Sequence, residues 1–417
     1  MDFQLSELGK ILSGESGIEQ LMNDLGNALA EGADNICMLG GGNPASIPAV
    51  NEVWRQQMLR LLDQNPDRFD RMLVNYDPCR GNAEFLDAVA DCFNRMYGWG
   101  LTRENVVVTN GGQTAFFYLV NLLSGNAQGR SKRILLPLVP EYIGYANQGL
   151  SKNAFRAAQP NIDFIDAKTF KYRVDFESLP LNDETAAICV SRPTNPTGNV
   201  LTDEEVNKLR ELALAKGIPL IVDNAYGVPF PNIIFGDATP PWGENVVLTY
   251  SLSKLGLPGT RTGIVIGPKQ ITKAISSANA VGGLANGNVG QTLVTDLLRN
   301  QSLISLSKDV IRPYYQERSK DALSMLSELM PPDSYSVHVS EGSLFLWLWL
   351  KLPITTLEFY ERLKRRGVLV VPGEYFFFGL EAPWQHQHEC IRMTFSMPNE
   401  IVRRGIELIA KEVRSLV

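Results

Sequence analysis

VVLTYSLSKLGLPGTRTG, residues 246–263, is the stretch from which the rest of the chain can be read. Its first five residues are apolar, β-branched or aromatic, the composition of a buried strand. That strand ends near Ser251. Lys254 follows within one turn, and Arg261 stands seven residues further on. In open α/β sheets, ligands sit outside the carboxyl ends of the strands. An amine in that place can form a Schiff base with a carbonyl cofactor. Ser251 and Arg261 suit a phosphate, because a guanidinium meets oxyanions through a planar fork. Taken alone, SxSK also describes a solvated lysine beside a structural arginine.

The neighbouring segments share the same texture. VVVT (106–109), ILLPL (134–138), AAICVS (186–191), PLIVDN (219–224) and GIVIG (263–267) are short apolar runs separated by helical patterning. Such alternation predicts an α/β fold with a mostly parallel central sheet and helices on both faces. Chemistry-bearing residues recur at the strand ends. Asp223 closes one strand, with Tyr226 three residues on; a carboxylate there caps a helix, binds a metal, or holds a pyridine nitrogen protonated. Asn195 lies in the turn RPTNPTG, an ordinary Pro-rich turn when read alone. Gly111, Gly112 and Gln113 stand where a strand meets a helix, and a helix N-terminus binds phosphate through its free N–H groups. Tyr142, in PEYIGY, offers an aromatic face to a ring or to the core.

The chain has 417 residues, 44% hydrophobic and 20% charged, with a net charge of −6. That balance belongs to a globular protein of more than one domain. It disfavours a nucleic-acid coat or an anionic membrane as the main partner. The apolar run Leu344–Leu350 is far short of the roughly 20 residues of a membrane span. No signal peptide is visible in MDFQLSELGK. The five cysteines are widely spaced, with no CxxC pair, as expected of reduced thiols in a cytoplasmic protein. A helical arm is expected over 17–30, and helices over 50–63 and 82–97. One long helix is expected over 303–330. A strand around 336–350, a helix around 355–366, the strand VLVV (368–371), a strand around 390–396 and a helix from 399 complete a smaller α+β unit. The expected division is an arm over 1–49, a large unit over 50–295 and a small one over 296–417.

In order, Gly111-Gly112-Gln113, Tyr142, Asn195, Asp223, Tyr226, Ser251, Lys254 and Arg261 form a constellation more specific than its parts. It resembles that of the fold type I, pyridoxal-phosphate-dependent aminotransferases, and the likeness runs over nearly the whole chain. MLGGGNPA (38–45), PEYIGY (140–145), SRPTNPTGNV (191–200), DNAYGVPFP (223–231) and SLSKLGLPG (251–259) are similar to the valine–pyruvate branch of that family. The resemblance implies that Lys254 carries pyridoxal 5′-phosphate as a Schiff base and shuttles the proton. It implies that Asp223 pairs with the ring nitrogen, that Asn195 and Tyr226 bond the ring's phenolic oxygen, and that Tyr142 stacks on the ring. Gly111, Gly112, Gln113, Ser251 and Arg261 would surround the phosphate. Arg392, with Asn195 and the backbone near Gly41, would bind the substrate α-carboxylate. Tyr76, in NYDPCRG, would reach the phosphate of a neighbouring subunit, which implies a homodimer with a shared site. Two departures bear on detail: Asn224 stands where many relatives have Glu, and Gly112 where they often have Ser or Ala.

Other readings compete. The same cofactor and fold serve lyases and decarboxylases. An effector-binding regulatory protein could use the fold as a sensor, though no basic DNA-binding unit precedes residue 40. His386-Gln-His388-Glu-Cys390 looks superficially like a metal cluster but reads better as a polar loop. Gly40–Pro44 lacks the GxGxxG pattern of a dinucleotide loop.

Overall fold

Six strands set the frame of the larger sheet. They run in the spatial order Val106–Asn110, Thr262–Ile266, Val246–Ser251, Leu220–Asp223, Thr185–Ser191 and Arg130–Leu136 in a computed structural model of the chain. Residues 3–14, Asn23, Gly26 and 36–417 are described. The arm helix expected over 17–30 lies, those two residues apart, outside the described residues. Thr262–Ile266 is antiparallel to both its neighbours, and the remaining pairings in this series are parallel. A short antiparallel strand, Gly125–Ala127, and a parallel one, Phe155–Ala157, extend the far edge. The sheet is thus mostly parallel, as its runs suggested. Val246–Ser251 and Thr262–Ile266 are buried at every residue. That is the pattern of strands covered on both faces, where alternation is not needed.

The parallel direction has a functional result. The strands ending at Asn110, Ser191, Asp223 and Ser251 deliver their carboxyl ends to one edge. The helix Gly112–Leu123 begins directly at the first of these ends.

A second sheet runs Val371–Pro372, Cys390–Thr394, Phe345–Leu350, Tyr335–His338, Thr169–Arg173 and Asn161–Phe164. It is not built from residues 296–417 alone. The 161–173 hairpin reaches across from the middle of the chain and pairs Val337 with Thr169. Three expectations change in detail. The strand expected around 336–350 is a hairpin of two, broken at Gly342 and at Ser343, which has φ +66. VLVV splits: Val368–Leu369 pairs with Cys37–Met38, while Val371–Pro372 pairs with the Arg392 strand. The long helix is interrupted by a π turn at Ser307–Ile311, where the Arg312 N–H reaches back to Ser307. Pro313 has no N–H for the carbonyl of Asp309, so the regular ladder cannot run through this point.

Candidate active site

A cavity of about 360 Å³ opens at the shared strand edge. Ten of the expected residues line it: Gly112, Gln113, Tyr142, Asn195, Asp223, Tyr226, Ser251, Lys254, Arg261 and Arg392. Gly111 immediately precedes Gly112, and Gly41 lies between two lining residues, Gly40 and Gly42. Tyr76 is not in the lining and is 84% exposed.

Lys254 sits in the short 3-10 turn Leu252–Leu255 that follows the strand. Ser251 caps that turn through its side chain, accepting from Ser253 N–H. The half-buried Lys254 lies on the cavity wall; its ammonium donates to Gly42 O and lies 5.4 Å from the centre of the Tyr226 ring. Burial lowers its pKa to about 8, with Arg392 and Arg261 helping and Asp223 opposing. A lysine held there releases its proton far more readily than a surface one.

Asp223 is fixed by three donors. Tyr145 Oη donates at 2.5 Å, Ala225 N–H at 2.9 Å and Thr249 Oγ1 at 3.1 Å. Burial pushes its carboxyl pKa up, and these hydrogen bonds work against that rise. The register of the sheet sets Thr249 directly beside Asp223.

Gly111 is the N-cap of the helix Gly112–Leu123 and supplies no side-chain cap. The first N–H groups are therefore left for a ligand. Gly111 has φ +86, and a Cβ there would stand 2.3 Å from Arg261 Nη2. Only glycine lets the guanidinium lie against the helix start. Gln113 turns away, donating to Gly144 O at 2.8 Å and so bracing the Tyr142–Tyr145 turn.

Arg392 comes from the second sheet, in register with Trp347 and Val371. It is 3% exposed. Nη1 donates to Asn195 Oδ1 at 2.7 Å and Nη2 to Gly40 O at 2.6 Å, while Nε is buried with no partner. Its guanidinium lies 4.1 Å from the centre of the Phe345 ring. A buried cation with an orphaned N–H on the cavity wall is built to receive an anion. Because Asn195 spends its oxygen on Arg392, what it can offer a ligand is its amide N–H.

Tyr145 and Thr249 were not singled out in the sequence, and the backbone near Gly41 meets Lys254 and Arg392 through the carbonyls of Gly42 and Gly40. Thr249 gave a signal, a polar residue inside an otherwise apolar strand. Tyr145 gave one too, as the second tyrosine of PEYIGY. His386 and Cys390 point into an aromatic cluster with Tyr172, Trp347 and Trp349, while His388 faces Glu374. Among the described residues, no three His, Cys, Asp or Glu side chains gather as a metal set.

An amine, a carboxylate at a strand end, an anion-binding helix start and a second, separate arginine together define an enzyme that acts on an amino acid through a phosphorylated carbonyl cofactor. The aminotransferase class I and II family model matches residues 49–409, and the chain belongs to that family. Its cofactor is pyridoxal 5′-phosphate. The valine–pyruvate aminotransferase of Escherichia coli (strain K12) is 46% identical over 415 residues, covering 99% of this chain and 98% of that protein. The crystal structure of valine-pyruvate aminotransferase from Salmonella typhimurium LT2 matches with a TM-score of 0.88 at 44% identity, covering 95% of this chain and 98% of that one. The α-aminoadipate aminotransferase of Thermus thermophilus shares the fold, with a TM-score of 0.78 at 20% identity over 99% of this chain and 97% of that one. The residues present fit the cofactor: the glycine-floored cradle beside Arg261 suits its phosphate, and Asp223, lining the same cavity, suits the ring nitrogen.

Proposed function

We propose that this chain transfers the amino group between valine and pyruvate, giving 3-methyl-2-oxobutanoate and alanine, in two alternating half-reactions at one site. The observation that carries the substrate class is the set of cations on the cavity wall: Lys254, Arg261 and Arg392. Arg261 belongs to the phosphate cradle, Lys254 to the chemistry and Arg392 to the substrate's α-carboxylate. None of these is left for a second carboxylate, and a buried unpaired carboxylate is costly. An uncharged substrate side chain fits this set. The name of the Escherichia coli relative supports valine and pyruvate in particular.

Pyridoxal phosphate supplies a carbonyl that takes up the amino group and a ring that withdraws electrons from the substrate Cα. The protein's residues do the rest. Gly112, Ser251 and Arg261 hold the phosphate. Tyr142 covers the ring face, and Tyr226 and Asn195 donate to its oxygen. Asp223 holds a proton at the ring nitrogen by charge pairing. Arg392 fixes the α-carboxylate, so that the Cα proton faces Lys254. The Lys254 amine, its pKa lowered by burial, takes that proton and returns it to the carbon on the far side of the amino nitrogen, two bonds from Cα.

We further propose a cytoplasmic homodimer. Tyr76 follows the exposed Leu73 and Val74. Its loop is tied by Asn279 and Asn286, through Cys79 O, to the segment bearing the exposed Val281 and Leu284. That segment also reaches Asn110, beside the phosphate cradle. An apolar surface at this edge would let the partner copy's tyrosine complete the site.

The test is an absorbance scan of purified holoenzyme with valine, alanine, 2-aminobutyrate and aspartate, with assay of the released oxo acid. Valine and alanine should react, with modest discrimination among the aliphatic donors, since one methylene is worth about 1–3 kcal/mol. Aspartate reacting faster than valine would overturn the substrate assignment and leave the cofactor assignment intact. Release of an amine or ammonia instead of an oxo acid would overturn amino transfer itself.

A further inference from the structure

Glu141 has no place in the chemistry above, yet it is fully buried immediately behind the cavity wall. Its Oε1 accepts from Ser191 N–H at 2.8 Å. Its Oε2 accepts from Ser191 Oγ at 2.7 Å and from Tyr142 N–H at 3.1 Å. Its own N–H donates to Phe376 O at 2.9 Å. Each of these partners leads to the site. Tyr142 begins the turn that covers the cofactor. Ser191 opens a tight turn, closed by Thr194 Oγ1 on Ser191 O, that ends at Asn195 and thus at Arg392. The Phe376 ring lies 5.3 Å from the Arg392 guanidinium.

We propose that Glu141 is a positioning residue for amino transfer: its carboxylate fastens the turn bearing Tyr142 to the strand end leading to Asn195, and so fixes the separation between cofactor ring and carboxylate anchor. This rests on the aminotransferase reading above. Two of the three contacts on the side chain come from backbone N–H groups, which can only donate. A carboxylate, which accepts on both oxygens, satisfies both; an amide sets an N–H against an N–H at one of them. Glu141 also acts through charge. Burial raises its pKa to about 7, opposed by the Ser191 and Tyr142 hydrogen bonds and aided by Asp223. Tyr145 and Cys189 feel its charge as well. An ionised Glu141 therefore adds negative potential behind Asp223 and favours a proton on the cofactor side of the cavity.

The test uses wild-type, Glu141→Gln and Glu141→Asp holoenzymes. The cofactor's visible absorbance is titrated against pH without substrate, and kcat and KM for valine are measured separately. Glu141→Gln should move the absorbance midpoint to lower pH, because a nearby anion is gone. It should also lower kcat/KM by about tenfold to a hundredfold, the scale of a small misplacement. Glu141→Asp keeps the charge on a shorter arm, so its midpoint should stay with the wild type while kcat/KM falls. If Glu141→Gln does not fold, Ser191→Ala removes one donor to the carboxylate, and a smaller midpoint shift in the same direction is expected. A Glu141→Gln enzyme with wild-type midpoint and kcat/KM overturns the proposal, as does a loss of melting temperature alone, or an unshifted Ser191→Ala. Because the titration needs no substrate, a wild type that ignores valine sinks the substrate reading without touching this one. A wild type without a visible cofactor band sinks both.

Discussion

Replacing Tyr145 with phenylalanine removes one oxygen from the site and little else. The ring packs 4.4 Å from Phe116 and stacks 6.4 Å from Phe155, contacts that phenylalanine keeps. The lost hydroxyl is the shortest of the three donors to Asp223. Burial, with Asp223 adding to it, holds the Tyr145 phenol far above its ordinary pKa, so it stays protonated and donates. A hydrogen bond to a charged group contributes about 1.5–3 kcal/mol, and 1.36 kcal/mol corresponds to a factor of ten. Without it, Asp223 becomes the stronger base, and the proton balance between its carboxylate and the ring nitrogen shifts by about ten- to a hundredfold toward the carboxyl. A ring with less charge withdraws electrons less well. The single-turnover rate with valine, followed by stopped-flow absorbance, should fall by about that factor. Cofactor retention should hold, because the phosphate cradle is untouched. A Tyr145→Phe rate within about twofold of wild type would refute the reasoning.

Borohydride reduction of the holoenzyme should attach the pyridoxyl group to the peptide containing Lys254, and a label on another lysine would displace that assignment. Lys254→Ala should bind cofactor without a covalent link and lose turnover by at least a hundred- to ten-thousandfold, roughly the share of one acid–base group. Mixing inactive Tyr76→Ala and Lys254→Ala chains under subunit exchange should restore some activity, since a C2 dimer can then hold one intact site; no recovery would confine Tyr76 to its own chain. His338 and His386 are buried and held near pKa about 3 and about 4 by desolvation. Below pH 6.5 the unfolded chain binds protons that the folded chain refuses, so stability should fall with pH. The loss is about 1.4 kcal/mol per histidine for each pH unit, or up to about 5 kcal/mol at pH 4.5. Thermal melts at pH 7.5, 6.0 and 4.5 should show the fall, and a His338→Gln variant should show a shallower one.

What was legible in the sequence followed from local pattern. Strands buried on both faces announce themselves as apolar runs, so the larger sheet and the residues at its carboxyl ends could be placed without coordinates. What escaped depends on pairing between distant segments. TFKYR (169–173) contains two charged residues and does not read as a sheet interior, yet Lys171 is buried because Glu341 of the adjoining loop neutralises it. VLVV looks like one strand because nothing local says that Val370 passes between two sheets. Tyr145 and Glu141 reach the site through a turn whose geometry depends on Phe376, more than two hundred residues away. The break at Ser307–Ile311, by contrast, was marked by Pro313, and helical periodicity on either side concealed it.

Arg392 gives one of its hydrogen bonds to Gly40, a partner 352 residues earlier in the chain. The residues proposed to cradle the cofactor within the chain all lie between Gly111 and Arg261. Synthesis from the N-terminus therefore produces the whole cofactor-gripping set well before the arginine that receives the substrate. Domains tend to fold as they emerge, and a ligand that binds only folded protein stabilises whatever has formed. On the roles proposed above, the set that grips the cofactor is complete once residue 261 is made, and the ability to bind an amino acid arrives last, when the C-terminal strand closes onto the glycine segment made at the start.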